Sequence, residues 1–241
     1  MTYCVAMRLS SGMIFVSDSR TNAGVDHISS FRKLHVFQQE GERMLVLQSA
    51  GNLATTQSAL SLLRRGCEEG KPLNLMSCTT MYDVALLVGE TLRSVIRRDG
   101  EEFGGTLMLG GQIRGEEPRL FQIYPQGNFI EASTDTPYFQ IGESKYGKPI
   151  IDRVLRYDTP LDRAMQCALI SMDSTLASNI SVGLPLDVMI YPAHSFSAAQ
   201  QYHITDKHPY FSQVRQRWSS GLLEVFSQLP PLQLDAQSPN Q

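Results

Sequence analysis

Cysteine is scarce in this chain: Cys4, Cys67, Cys78 and Cys167 are the only four in 241 residues, and none forms a C-x-x-C pair. That scatter argues against a disulfide framework or a zinc ribbon. It reads as buried free thiols in a reducing compartment. Long apolar runs are missing as well. No stretch approaches about 18 apolar residues, so no membrane span is expected. The N-terminus, MTYCVAMRLSSG, lacks the basic start and apolar core of a signal peptide, so the cytoplasm is the expected location. An excess of one charge is also lacking. The 21 Lys and Arg against 24 Asp and Glu leave a net charge of −3, which gives no electrostatic footprint for nucleic acid. With 42% hydrophobic residues and so small a net charge, disorder is excluded.

What is present suits a sizeable core. At roughly 150 residues per domain the length allows one large domain or two small ones. Strands are expected at residues 2–9 and 13–17, around a turn at Ser10-Ser11-Gly12, and at 34–38 and 44–48. Asn52 is placed to cap a helix running to about Arg65. The clearest helix is 79–98, where Met81, Val84, Ala85, Val88, Leu92, Val95 and Ile96 recur at helical spacing after a Thr79 or Thr80 cap. Strands follow at 104–112, 119–124, 128–132 and 138–142, then helices at about 147–156 and 161–177. A strand at 186–191 and a helix at about 210–228 complete the order. Blocks of strands alternating with helix pairs argue for α+β layers rather than a parallel βαβ sheet. Without a linker or internal repeat, one domain over residues 1–241 is favoured. The stretch from about 194 onward reads as a C-terminal helical extension.

Thr2 stands where removal of the initiator Met exposes an α-amine beside a hydroxyl. An N-terminal Thr can act as a nucleophile with its own amine as base; the plainer reading is a Thr that starts the first strand. Asp18-Ser19-Arg20 ends the second strand and Lys33 begins the third, so Asp18 and Lys33 can meet as an ion pair. Ser49-Ala50-Gly51-Asn52 places a glycine where strand passes into helix, a position able to aim a backbone N–H at an oxyanion. A simple turn needs glycine equally.

Together these features resemble one family. The segments TYCVAMRLSSG, SDSRTNAGVDHISSFRKL, SAGNLATTQ and SNISVGLPLDV are similar to proteasome β-type subunits, and most similar to the bacterial proteasome-like group called Anbu (ancestral β-subunit). The resemblance covers about residues 2–230. It implies a four-layer αββα sandwich of the N-terminal nucleophile (Ntn) hydrolase class. It also implies Thr2 as nucleophile, Asp18 holding Lys33 beside the Thr2 hydroxyl, Gly51 N–H as oxyanion hole and Arg20 as a structural neighbour. Asp173 matches the acid that supports the terminal amine. Where the family has Gly-Ser-Gly this chain has Gly142-Glu143-Ser144, which offers Ser144. After Asp173 the family's Ser-Gly-Gly is replaced by Leu176-Ala177-Ser178-Asn179, which offers Ser178. Lys33 stands one residue nearer the N-terminal Thr than in most such subunits.

Two groups compete as base. An α-amine of pKa about 7.7–8.0 is substantially free near neutrality, whereas a lysine near 10.4 is almost wholly charged. The amine is the expected base, and Lys33 the electrostatic support; deep burial that neutralised Lys33 would reverse the assignment. The expected activity is a threonine endopeptidase acting on peptide or unfolded protein within a homo-oligomer, a ring or a helical assembly. No cofactor or metal is expected. Nothing resembles an ATP-binding loop, so any unfoldase would be a separate chain. An amidase acting on a non-peptide amide, and a weakly catalytic scaffold, remain as alternatives. His203, Asp206 and His208 hint at a metal but read as a polar loop, since helical ligand pairs want a spacing of four. Phe211, Val214, Trp218, Leu222, Val225 and Phe226 share one helical face, suited to the chain's own core or to a second subunit.

Overall fold

The structure, a computed structural model, describes residues 2–23, 27–196 and 200–232. Met1 and the polar tail beyond 232 lie outside them. In chain order the strands are β1 (Tyr3–Leu9), β2 (Gly12–Asp18), β3 (Arg20–Ala23), β4 (His27–Ser30), β5 (Leu34–Gln39) and β6 (Arg43–Gly51). Helices α1 (Leu53–Glu68) and α2 (Met81–Asp99) follow, then β7 (Gly105–Ile113), β8 (Arg119–Ile123), β9 (Phe129–Glu131) and β10 (Tyr138–Gly142). Helices α3 (Lys148–Val154) and α4 (Leu161–Ser178), strands β11 (Leu186–Pro192) and β12 (Gln200–Ile204), and helix α5 (Pro209–Ser227) complete the chain.

Two antiparallel five-stranded sheets stack face to face. One has the order β10-β1-β2-β11-β12, the other β5-β6-β7-β8-β9, and β3 and β4 form a separate ribbon. The period-2 alternation of side chains assigns each residue to a layer. In β1, Tyr3, Val5, Met7 and Leu9 pack against α3 and α4, while Cys4 and Ala6 face the second sheet. In β6, Leu45 and Leu47 pack against α1 and α2, while Met44, Val46 and Ala50 face the first sheet. Central strands are therefore buried on both faces, which is why β1, β2 and β6 read as nearly continuous apolar runs. The result is the αββα sandwich that the family resemblance implies, and it fits the α+β layers read from the element order.

The α2 stripe is buried as its spacing foretells, from Met81 through Ile96. Each Met, Val, Leu and Ile of the stripe contributes about 1.5–3 kcal/mol by leaving water. Thr80 supplies the cap, in a reciprocal capping box with Asp83. Asn52 caps α1 by accepting from the Thr55 N–H at 3.1 Å.

Two expectations are corrected. The sequence reading passes from the second strand at Asp18-Ser19-Arg20 to the next at Lys33, and misses the ribbon β3–β4 between them because its short polar strands show no alternation. The segment around His203 was read as a loop but forms β12, an edge strand on which only Ile204 is buried. A strand with one buried residue carries no period-2 signal. His203 lies on that strand, and His208 precedes the first turn of α5.

Candidate active site

Thr2 lies just before β1 and is 9% exposed. Its carbonyl accepts the Glu143 N–H at 2.8 Å. Gly142, at φ +84°, lies so close that a Cβ there would run into the Thr2 carbonyl. Only glycine lets the end of β10 lie against the start of the chain. The next amide, Tyr3 N–H, donates to Asp18 Oδ1 at 3.0 Å.

Asp18 ends β2 and is fully buried. Its Oδ1 also accepts Lys33 Nζ at 2.7 Å, and its Oδ2 accepts the Gly183 N–H at 3.2 Å. Lys33 Nζ donates a second bond, to the Arg20 carbonyl at 2.6 Å. Both bonds to Nζ are charge-assisted and therefore stronger than neutral ones. Burial pushes the Asp18 carboxyl above its ordinary value, and the Lys33 ammonium and the two N–H groups pull against that rise. Arg20 itself reaches the Ile180 carbonyl at 3.0 Å, so the Asp-Ser-Arg run ties β2 to the loop before β11.

Register sets the direction of the Gly51 amide. Gly51 stands opposite Gly105 across β6 and β7. Asn52 N–H donates to Gly104 O at 3.0 Å, so β7 takes the bonds of Asn52 and Ala50, not that of the residue between them. On the other edge Ser49 N–H donates to Lys33 O at 3.1 Å. Two residues on, Gly51 N–H points to that same edge, past the start of β5. Its φ is +108°, and a Cβ would fall 2.7 Å from Gly104 O and 2.8 Å from the Gly105 Cα.

Thr2, Lys33 and Gly51 line one hollow of about 150 Å³, together with Thr21, Ser49, Ala50, Leu53 and Thr56. Asp18 joins them through Lys33 and Tyr3. Thr21, Ser49 and Thr56 lie in the segments that carry the resemblance, but sequence reasoning gives their hydroxyls no role. Nor did it find the Gly183 amide that closes the Asp18 contacts.

The remaining expected residues do not line that hollow. Asp173 was expected beside the Thr2 amine, but its carboxylate takes Arg215 Nε of α5 at 2.5 Å. The α4 residues buried against the fold include Ser171, Met172 and Thr175, and Asp173, one position further round, faces α5. Ser171 is the α4 hydroxyl that reaches β1, with its Oγ 2.6 Å from the Tyr3 hydroxyl. Ser178 is exposed at the end of α4. Ser144 lines a different hollow, with Tyr138, Gln140 and Lys148, two residues past the glycine that touches Thr2. Among the described residues no cluster of His, Cys, Asp and Glu has a metal-binding arrangement. His203 instead bonds Asp187 across neighbouring strands, Nδ1 to Oδ1, at 2.9 Å. No helix among those residues is long and apolar enough to cross a membrane.

Known proteins agree with this architecture. The family model described as proteasome subunit matches residues 2–190. No curated protein matches the chain. Among solved structures, the Anbu (ancestral beta-subunit) of Yersinia bercovieri is 72% identical, covering 97% of this chain and all of that one, with a TM-score of 0.94. The Anbu of Pseudomonas aeruginosa, solved as a helical assembly, is 50% identical over 96% of this chain and 98% of that one, with a TM-score of 0.93. That of Hyphomicrobium sp. strain MC1 is 46% identical over 97% of this chain and all of that one, with a TM-score of 0.92. With its sandwich, its Asp18–Lys33 pair and these likenesses over nearly its whole length, the chain belongs to the proteasome subunit family, in its Anbu (ancestral beta-subunit) group.

Proposed function

We propose that this chain is a threonine peptidase that cleaves peptide bonds with Thr2 after removal of Met1. One observation carries the reading. Lys33 is held by Asp18 and the Arg20 carbonyl while lining the same hollow as Thr2 and Gly51. The Thr2 hydroxyl attacks the substrate carbonyl, and its proton passes to the freed α-amine. The Gly51 N–H stabilises the oxyanion, as preorganised amide donors do in a closed site. The amine then hands the proton to the leaving nitrogen, and a Thr2 ester remains. Water, activated by the same amine, hydrolyses the ester and restores Thr2. Lys33, anchored in place, lowers the cost of charge on the Thr2 oxygen without moving a proton itself. The four working residues are Thr2, Asp18, Lys33 and Gly51. Asp173 has no part in this scheme.

The chain works as a homo-oligomer, one unit over residues 1–241 with a C-terminal extension from about 194. The family match ending at residue 190 and the helical assembly of the Pseudomonas relative support this. So does α5 itself. Phe211 is buried on the chain's own core, whereas Leu222, Leu223, Val225 and Phe226 are exposed. The four free cysteines suit a cytoplasmic site. A peptide library tests the activity. Turnover is expected from the processed protein and its loss in Thr2→Ala at unchanged assembly mass. Undiminished cleavage by a clean Thr2→Ala preparation would sink the assignment.

A further inference from the structure

Three buried oxygens next to the Asp18–Lys33 pair have no hydrogen-bond partner among the described residues: Ser17 Oγ, Gln48 Oε1 and Asp187 Oδ2. Ser17 and Gln48 are fully buried, and Asp187 is 9% exposed. Registers bring them together. Asp187 stands directly opposite Ser17 across β2 and β11, and His203 stands opposite Asp187 across β11 and β12. By the alternation that turns Met13, Phe15, Met189 and Tyr191 inward, Ser17 and Asp187 face the second sheet. Gln48 comes from that sheet. Its Nε2 donates to the Val16 carbonyl at 2.9 Å, on the peptide that leads into Ser17. The amide nitrogen is thereby used on β2, which leaves Oε1 free beside Ser17. The other oxygen of Asp187 is taken by His203.

We propose that Ser17, Gln48 and Asp187 form an internal water-binding site that joins the two sheets beside the Asp18–Lys33 pair. The donor and acceptor inventory matches one water. A carboxylate oxygen and an amide oxygen only accept, and a serine hydroxyl can donate. One water donates to Asp187 Oδ2 and Gln48 Oε1 and accepts from Ser17 Oγ, which satisfies all three. Three bonds are the usual complement of a buried water. An apolar contact would leave each oxygen desolvated and unpaired. A hollow of about 180 Å³ lies beside the cluster, walled by Arg32, Leu34, Tyr202, His203 and Asp187 itself. The placement has a consequence for the neighbouring groups. Ser17 precedes Asp18, and Gln48 precedes Ser49, whose N–H holds the Lys33 carbonyl. One water thus bridges β2, which delivers Asp18, β6, which delivers Gly51, and β11.

A high-resolution crystal structure of the full chain, wild type and Gln48→Met, tests this. The wild type is expected to show a density peak at about 2.8 Å from all three oxygens, and Gln48→Met is expected to lose or displace it. Three results would overturn the site: no peak, with Ser17 and Asp187 bonded directly to each other; a peak ringed by six or more oxygens at roughly 2.0–2.6 Å, the distances of a divalent cation; or a peak unchanged in Gln48→Met. If the variant does not fold, the wild-type density alone decides between the first two results and the expected one.

Discussion

Lys33 Nζ donates to Asp18 Oδ1 across 2.7 Å, and the two side chains are 4% and 0% exposed. The pair links the end of β2, the central strand of the first sheet, to the start of β5, an edge strand of the second, by one charge-assisted bond beside the hollow that Thr2 lines.

Breaking the pair from one side strands the other charge. Asp18→Ala and Lys33→Ala are each expected to cost about 3–5 kcal/mol, and the double variant less than the sum of the two. Denaturant titration of the three proteins measures it. Additive costs would mean that the pair has no coupling.

The pH dependence follows from the direction of the Asp18 shift. Burial puts its folded-state pKa above the unfolded value near 3.9. The group therefore adds stability that is complete below about pH 3.9 and is lost as pH rises through the folded-state value. Activity runs the other way. As pH falls through the raised value, Asp18 is neutralised and Lys33 loses its anchor. The amine base sets a first acid limb of peptide turnover in the ordinary amine range, and Asp18 adds a second limb at lower pH, still above the ordinary carboxylate range. The remaining turnover of Asp18→Asn should lack that second limb; a limb at the ordinary carboxylate position would contradict the shift.

Gly51→Ala tests the amide directly. A Cβ meets Gly104 O and Gly105 Cα below 3 Å at a positive φ, so β6 must shift and the N–H must move with it. Loss of an oxyanion donor costs about 10²–10³ in kcat. A kcat loss in that range with KM little changed is the expected outcome, measured at a temperature where the variant stays folded. Wild-type kcat would remove Gly51 from the scheme.

The outer half of α5 carries the assembly prediction. Leu223 is 69% and Phe226 73% exposed. Replacing both with Asp leaves the chain's own core untouched and is expected to lower the mass in sedimentation. An unchanged oligomer would assign the contact elsewhere.

Much of this was legible in the sequence, for physical reasons. The α2 stripe and the Asn52 cap are local patterns that tertiary packing reinforces. The family resemblance implies Thr2, Asp18, Lys33 and Gly51 as one site, and the fold brings them together because each sits at a strand end. Asp173 takes Arg215 rather than lining the hollow, because helical phase decides its direction. One step around α4 separates the residues that face the sheet from one that faces Arg215. The strand β12 was missed because it lies at an edge with four of five residues exposed. The Ser17, Gln48 and Asp187 cluster joins three strands from two sheets, and no window along the chain contains it.

The most direct measurement is the intact mass of the purified protein before and after treatment with a peptide electrophile. The expected result is a chain without Met1 that gains one adduct, mapped to Thr2 and absent from Thr2→Ala. A chain that keeps Met1 while cleaving peptides, or an adduct retained in Thr2→Ala, would contradict Thr2 as the nucleophile.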